Sequence, residues 1–329
     1  MGMRQRWPAG VEARPVEEAH AAAWAELLAA KEKADQNGEH YDADDLVEEL
    51  RDPKLDAARD TIGLWADGQM VGYGAVRGRD AVVDVDRVMI EGAVHPEWRG
   101  RGIGRALVGW LTERGTALHE ERWPGHDAEA NIWVNSTNAP ARDLLTGLGF
   151  EECRYFFDMT RPFDEPLLEP PVPDGLRLVA FDPAYDEALR LAHNEVFLDH
   201  WGSTPRDAET WRTWYTGARA FRGDLSYLVL DGDEIVAYVL GYEYVADTEA
   251  TGVRDLYVGQ VGTRRSYRGR GLAAATLARV MYEARRAGYA QASLGVDAAN
   301  PTGALGLYER LGFHATRNFI TYRLPLTEA

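Results

Sequence analysis

A pattern that occurs twice in one chain constrains its fold more tightly than composition does. Residues 94–104 read Val-His-Pro-Glu-Trp-Arg-Gly-Arg-Gly-Ile-Gly, and residues 263–273 read Thr-Arg-Arg-Ser-Tyr-Arg-Gly-Arg-Gly-Leu-Ala. Each copy follows an apolar, β-branched stretch (Val88 to Val94, Leu256 to Val261) and opens an amphipathic one (Arg105 to His119, Ala274 to Ala287). Both therefore read as strand, glycine-rich turn and helix. A second echo lies downstream. Asn138-Ala-Pro-Ala-Arg-Asp-Leu-Leu-Thr-Gly-Leu-Gly-Phe150 mirrors Asn300-Pro-Thr-Gly-Ala-Leu-Gly-Leu-Tyr-Glu-Arg-Leu-Gly-Phe313, each with a strand before it (Ala130 to Val134, Ala292 to Val296), a short helix within it and a strand after it. Two motif pairs in the same order imply a duplicated unit.

The rest of the chain fits a duplication. Its 329 residues suit two domains of ordinary size. Each half opens with a short strand and a helical region, Ala19 to Lys33 and Tyr185 to Phe197. A hairpin follows: Thr61 to Ala66 with Met70 to Val76 around Asp67-Gly68, and Leu225 to Leu230 with Ile235 to Tyr242 around Asp231-Gly232. Between the halves, the segment from Arg161 to Gly175 is rich in proline, which removes backbone donors and stiffens the chain. The boundary is expected near Pro170, giving an N-terminal domain over 1–165, a linker over 166–175 and a C-terminal domain over 176–329.

Charge narrows the partners. A net charge of −17 argues against sequence-independent nucleic-acid binding and repels anionic membrane surfaces. No apolar run approaches the ~20 residues that span a bilayer, and Met1 to Gly10 has no apolar stretch behind its arginines to serve as a secretory signal. Cys153 is the one cysteine, so no intrachain disulfide forms, and the eight histidines show no metal-ligand spacing. A soluble, cytoplasmic protein without a metal is expected; the sequence does not set its oligomeric state.

The glycine turns suggest a phosphate cradle. Arg99, Gly100, Arg101, Gly102, Ile103 and Gly104, and likewise Arg268, Gly269, Arg270, Gly271, Leu272 and Ala273, put small residues where a backbone must approach an anion closely. Helix N-terminal amides and the macrodipole favour negative charge there, and the flanking arginines can add charge-assisted bonds. The bland alternative is a left-handed turn between strand and helix. A Walker loop is excluded because no Gly-Lys-Ser/Thr follows, and the glycines do not fit Gly-x-Gly-x-x-Gly.

With Arg-x-x-Gly-x-Gly/Ala after a strand and Asn…Leu-Gly-Phe downstream, the chain resembles, twice over, the GNAT superfamily of acetyl-CoA-dependent N-acyltransferases, most of all its tandem actinobacterial members. The resemblance implies two mixed α/β domains, each a largely antiparallel sheet flanked by helices. It implies acetyl-CoA as co-substrate, no metal, and acetyl transfer to a primary amine of a small molecule. It places the pantetheine arm along a splayed strand edge, here Gly92, Ala93 and Val94 in the first half and Val261, Gly262 and Thr263 in the second. Gly92 and Gly262 then mark a bulge or close approach, or are packing glycines. Asn138 and Asn300 match the residue that bonds the cofactor arm; either can instead cap the helix that follows.

By the same resemblance Tyr308 is the general acid that protonates the departing thiolate. Its first-half counterpart is Leu145, so the second domain is expected to be catalytic and the first silent. The base is less marked. The strand position where the family often carries Glu holds Tyr257, with Val88 as its first-half equivalent. Asp255, two residues earlier on the same face, and His200, in the helical region over the acceptor site, are the candidates. Cys153 lies outside the second-half site, so direct transfer in a ternary complex is expected rather than a cysteine acyl-enzyme. The rival readings are a non-catalytic acetyl-CoA-binding or scaffold protein, and an acyltransferase using another acyl-CoA or a protein amine.

Overall fold

The computed structural model describes residues 7–167, 171–299 and 303–327. They form two compact units, Met1–Arg154 with Phe319–Ala329, and Tyr155–Asn318. Unit 1 carries β1 (Glu12–Arg14), β2 (Thr61–Ala66), β3 (Gln69–Arg77), β4 (Asp86–Val94) and β5 (Ala128–Asn135). Helices α1 (Ala21–Asp35), α2 (Ala43–Leu50) and α3 (Ala57–Asp60) precede β2; α4 (Ile103–Arg122) joins β4 to β5, and α5 (Ala139–Thr146) follows. Strand β6 (Glu151–Pro162) comes next. Unit 2 then runs β7 (Arg177–Ala180), α6 (Asp186–Val196), α7 (Ala208–Trp211), β8 (Phe221–Asp231), β9 (Glu234–Tyr242), α8 (Val245–Thr251), β10 (Asp255–Thr263), α9 (Leu272–Arg286), β11 (Gln291–Asp297) and α10 (Ala304–Arg310). The last strand is β12 (His314–Pro325).

Every duplicated element expected from the sequence is present. In unit 1, β1 to β4 pair antiparallel in order, and β4 pairs parallel with β5. In unit 2, β7 to β10 do the same, and β10 pairs parallel with β11. The β2–β3 hairpin turns on Asp67 and Gly68, both at positive φ (50° and 83°), the twist that matches flanking strands. Each sheet is buried on two faces. In unit 1, α4 and α5 cover Val76, Val88 and Ile90, while α1 and α2 cover Tyr73, Ala75 and Ala93. In unit 2, α9 and α10 pack on Leu256, Val258 and Leu294, and α6 and α7 on Tyr238, Leu240 and Tyr242. Among the described residues no helix is long and apolar enough to cross a membrane.

The units do not follow the division at 165 and 176. Residues 319–325 of β12 pair with β5, and Ile320 and Tyr322 are buried in the unit 1 core. Residues 156–162 of β6 pair with β11, and Met159 is buried in the unit 2 core. Each unit thus takes its closing strand from chain that a sequential reading gives to the other half. Alternation of apolar and polar residues marks a strand but does not say which sheet edge it joins.

Candidate active site

The two glycine turns are built alike. Gly100 and Gly102, like Gly269 and Gly271, have φ between 75° and 84°, where a side chain is strained. A Cβ at any of the four would meet no atom within 4 Å, so the backbone demands glycine and the space above it is open. Gly102 and Gly271 are the N-caps of α4 and α9, and neither helix start has a side-chain cap. The first i→i−4 bonds run from Ala106 to Gly102 and from Ala275 to Gly271. The amides of residues 103–105 and 272–274 therefore lack intrahelical acceptors. Such a cradle fits a diphosphate. Gly104 has a packing reason instead: its Cβ would lie 3.1 Å from Leu144.

The arginines of the turns also contact the protein. Arg99 Nε donates to the Val94 carbonyl, and Arg268 Nε to that of Thr263, both at 3.2 Å, so each braces the strand end. Arg99 also holds Asp35 with two bonds of 2.7 and 2.8 Å. Arg101 lies over the Trp98 ring and Arg270 over Tyr267, both on exposed surface beside the turns.

Both parallel strand pairs separate where the fold needs an opening. β4 and β5 are paired only over Asp86–Met89 with Ala128–Asn131, and β10 and β11 only over Asp255–Tyr257 with Gln291–Ser293. Beyond these points β4 continues to Val94 and β10 to Thr263 without that neighbour. The bulge in β10 lies between Val258 and Gln260, at Gly259, where a Cβ would lie 2.6 Å from the Tyr242 ring. Gly262 is a packing glycine: its Cβ would fall 2.3 Å from the ring of Tyr238, its cross-strand partner. Gly92 likewise accommodates Leu107, at 3.1 Å. Asn138 caps α5, accepting from the Ala141 amide at 3.2 Å. Asn300 lies outside the described residues.

Tyr308 sits on α10, 8% exposed, with its ring 5.9 Å from Phe313. Burial pushes its hydroxyl well above the usual tyrosine range, and neighbouring Tyr257 adds to this. Leu145, its unit 1 counterpart, is buried in the unit 1 core. Asp255 stands at the start of β10; burial raises its carboxyl from 3.8 to about 6, against a hydrogen bond from Ser293. His200 follows α6, its ring stacked on Phe197 at 4.4 Å.

Strand register reveals residues that the sequence reading missed. Facing residues of paired strands share a sheet face, so Asp255, Tyr257, Ser293, Gly295, Phe156 and Asp158 line one face. Trp201 approaches Phe156 at 6.3 Å on that side. Asp158 is held by Arg317 at 3.2 Å, and burial raises its carboxyl. A sequential division gives Asp158 to the first domain, so no local signal points to it.

Comparison with known proteins agrees with this geometry. Residues 187–313 match the Acetyltransferase (GNAT) family and residues 59–152 an Acetyltransferase (GNAT) domain. Similar curated proteins include the mycothiol acetyltransferases of Salinispora arenicola, 30% identical over 90% of this chain and 91% of that one, and of Parafrankia sp., 29% identical over 95% and 97%. Among solved structures, a GCN5-related N-acetyltransferase from Sphaerobacter thermophilus superposes with a TM-score of 0.78 at 28% identity, covering 98% of both chains. A tandem GNAT protein from the clavulanic acid biosynthesis pathway shares the fold, with a TM-score of 0.72 at 17% identity over 97% of this chain and 99% of that one. The open glycine cradles, the splayed parallel strands and these likenesses agree: the chain is an acetyltransferase enzyme of the GNAT family with two such domains in tandem.

Proposed function

We propose that the protein moves an acetyl group from acetyl-CoA to a primary amine of a small molecule, by direct transfer in a ternary complex, with the chemistry in unit 2. The observation that carries this reading is the asymmetry at α5 and α10: Tyr308 neighbours Tyr257 at the β10 splay, whereas unit 1 has only Leu145 there. The diphosphate of acetyl-CoA lies on the amides after Gly271, and its pantetheine arm runs along Val261–Thr263. An incoming ammonium loses a proton to Asp255, whose carboxyl at about 6 is ionised at neutral pH and basic enough to accept it. The amine nitrogen then bonds to the thioester carbon while a backbone amide of β10 stabilises the carbonyl oxygen. The carbon–sulfur bond breaks, Tyr308, kept protonated by burial, gives its proton to the leaving sulfur, and the second proton of the acylated nitrogen passes to the tyrosinate and restores it.

Cys153 supports direct transfer. It falls in unit 1, its thiol is pushed up by burial, and it donates to the Thr321 carbonyl at 3.3 Å. A half-buried thiol with a raised pKa is a poor nucleophile. Unit 1 keeps the glycine cradle and is read as a silent domain whose cofactor site can still be filled.

The test is an amine screen with acetyl-CoA, read by thiol release and mass spectrometry, followed by Tyr308→Phe. The name of the curated relatives puts mycothiol-related amines first in that screen. The variant keeps the ring and its packing but lacks the phenolic proton, so turnover should drop ~10²–10⁴-fold with little change in the KM for acetyl-CoA. Turnover within about threefold of the parent leaves less than ~1 kcal/mol for the role and refutes it.

A further inference from the structure

Gly295 lies in the middle of β11, where glycine weakens a strand relative to alanine. No backbone requirement explains it, since its φ is not in the left-handed region. Steric exclusion does not explain it either. A Cβ there would meet only Tyr257 Oη at 3.4 Å and Asp158 Oδ1 at 3.9 Å, which is ordinary contact. The residue is exposed, and it lies just beyond Ser293, the last point at which β11 pairs with β10. The glycine therefore keeps a small space open at the floor of the splay, between a phenol and a carboxylate.

Asp158 is the polar group set against that space. It faces Gly295 across the β6–β11 pair. Arg317 binds its Oδ2 at 3.2 Å, and Thr316 donates to its main-chain carbonyl. Among the described residues no group hydrogen-bonds Oδ1, the oxygen nearest Gly295. A carboxylate that is partly desolvated gains from a further donor, and a ligand can provide one.

We propose that Asp158 determines acceptor specificity: its Oδ1 accepts a hydrogen bond from the acceptor beside the reacting amine, in the space over Gly295, while Arg317 holds the carboxylate in place. This rests on the reading of unit 2 as the catalytic unit. The acceptor class it selects is a compact amine with a second hydrogen-bond donor next to the reacting nitrogen, and an amine on a bare hydrocarbon chain is disfavoured.

Three full-length variants decide it, using the best amine from the screen. Gly295→Ala fills the space without a clash, so its thermal midpoint should equal or slightly exceed the parent's and its KM for acetyl-CoA should match, while the KM for the amine rises about tenfold or more. Asp158→Asn should raise the KM for the amine by about tenfold to a hundredfold, the loss expected for a hydrogen bond to a charged group, again sparing acetyl-CoA. A purely structural Asp158–Arg317 pair predicts a lower thermal midpoint and no such split. If Gly295→Ala binds the amine within about threefold of the parent while Tyr308→Phe has lost turnover, the assignment of Asp158 is wrong and the catalytic reading stands. If Tyr308→Phe keeps full turnover, the catalytic reading is wrong and this inference falls with it.

Discussion

Replacing Asp255 by Asn should slow the enzyme and stabilise its fold at the same time. Burial raises this carboxyl from 3.8 to about 6. Below about pH 3 it is protonated whether the chain is folded or not, and stability is indifferent to it. As pH rises the unfolded chain ionises first, so stability falls until the folded carboxyl ionises near 6. The loss is at most about 3 kcal/mol, complete above pH 7 and roughly half that at pH 5. Asparagine carries no charge and keeps an oxygen for the Ser293 hydroxyl. Its amide nitrogen would replace an oxygen that accepts from the Gln291 side chain, giving back about 1 kcal/mol. The net gain should be about 1–2 kcal/mol at pH 7.5 and shrink towards zero at pH 5. Loss of a positioned base should lower turnover ~10²–10⁴-fold. Urea denaturation of parent and variant at pH 5, 6 and 7.5, followed by tryptophan fluorescence, gives the first quantity; turnover with the screened amine gives the second. A stability difference that stays constant with pH would refute the buried, proton-holding carboxyl. Unchanged turnover would refute the base.

Other outcomes follow from the same geometry. Gly271→Glu puts a strained side chain and a negative charge at the N-cap of α9; calorimetry should show one acetyl-CoA site lost, and unchanged stoichiometry and affinity would disprove the cradle. A chain ending at Asn318 removes Ile320 and Tyr322 from the unit 1 core, each worth about 2–5 kcal/mol. Hydrogen exchange should then show unit 1 unprotected although its first 154 residues are intact, whereas retained protection in α4 and β5 would contradict the strand assignment. For the same reason a fragment of residues 1–165 should fold poorly, so the silence of unit 1 is better tested in the full chain carrying Tyr308→Phe. His193, whose imidazole burial holds down at about 3 while Tyr238 bonds its Nδ1 at 2.9 Å, makes unit 2 acid-sensitive. Its contribution is complete above about pH 7.5 and falls by about 2 kcal/mol by pH 5. His193→Gln should flatten that part of the pH–stability curve, and an unchanged slope would show that the ring is not held neutral.

The sequence by itself determined the duplication, the glycine turns, the hairpins and the position of Tyr308. All of these are local: a left-handed glycine before a helix, an Asp-Gly turn, and a tyrosine at a set distance from Leu-Gly-Phe are written within a few residues of one another. Tertiary structure decided what depends on partners far apart in the chain. Only pairing shows that residues 319–325 close the first sheet and 156–162 the second, because period-two alternation does not specify which edge a strand joins. The same pairing sets Asp158 opposite Gly295, next to Tyr257, although a sequential reading puts the two facing residues in different halves of the chain. The state of each charge was equally out of reach. Arg99 is available for a diphosphate on sequence grounds, but in the fold Asp35 lies beside it. Asp255 is a base candidate on sequence grounds, but only burial in the fold raises its carboxyl to about 6. A side chain's chemistry is read from the sequence, but its desolvation and its counter-ion come from the fold.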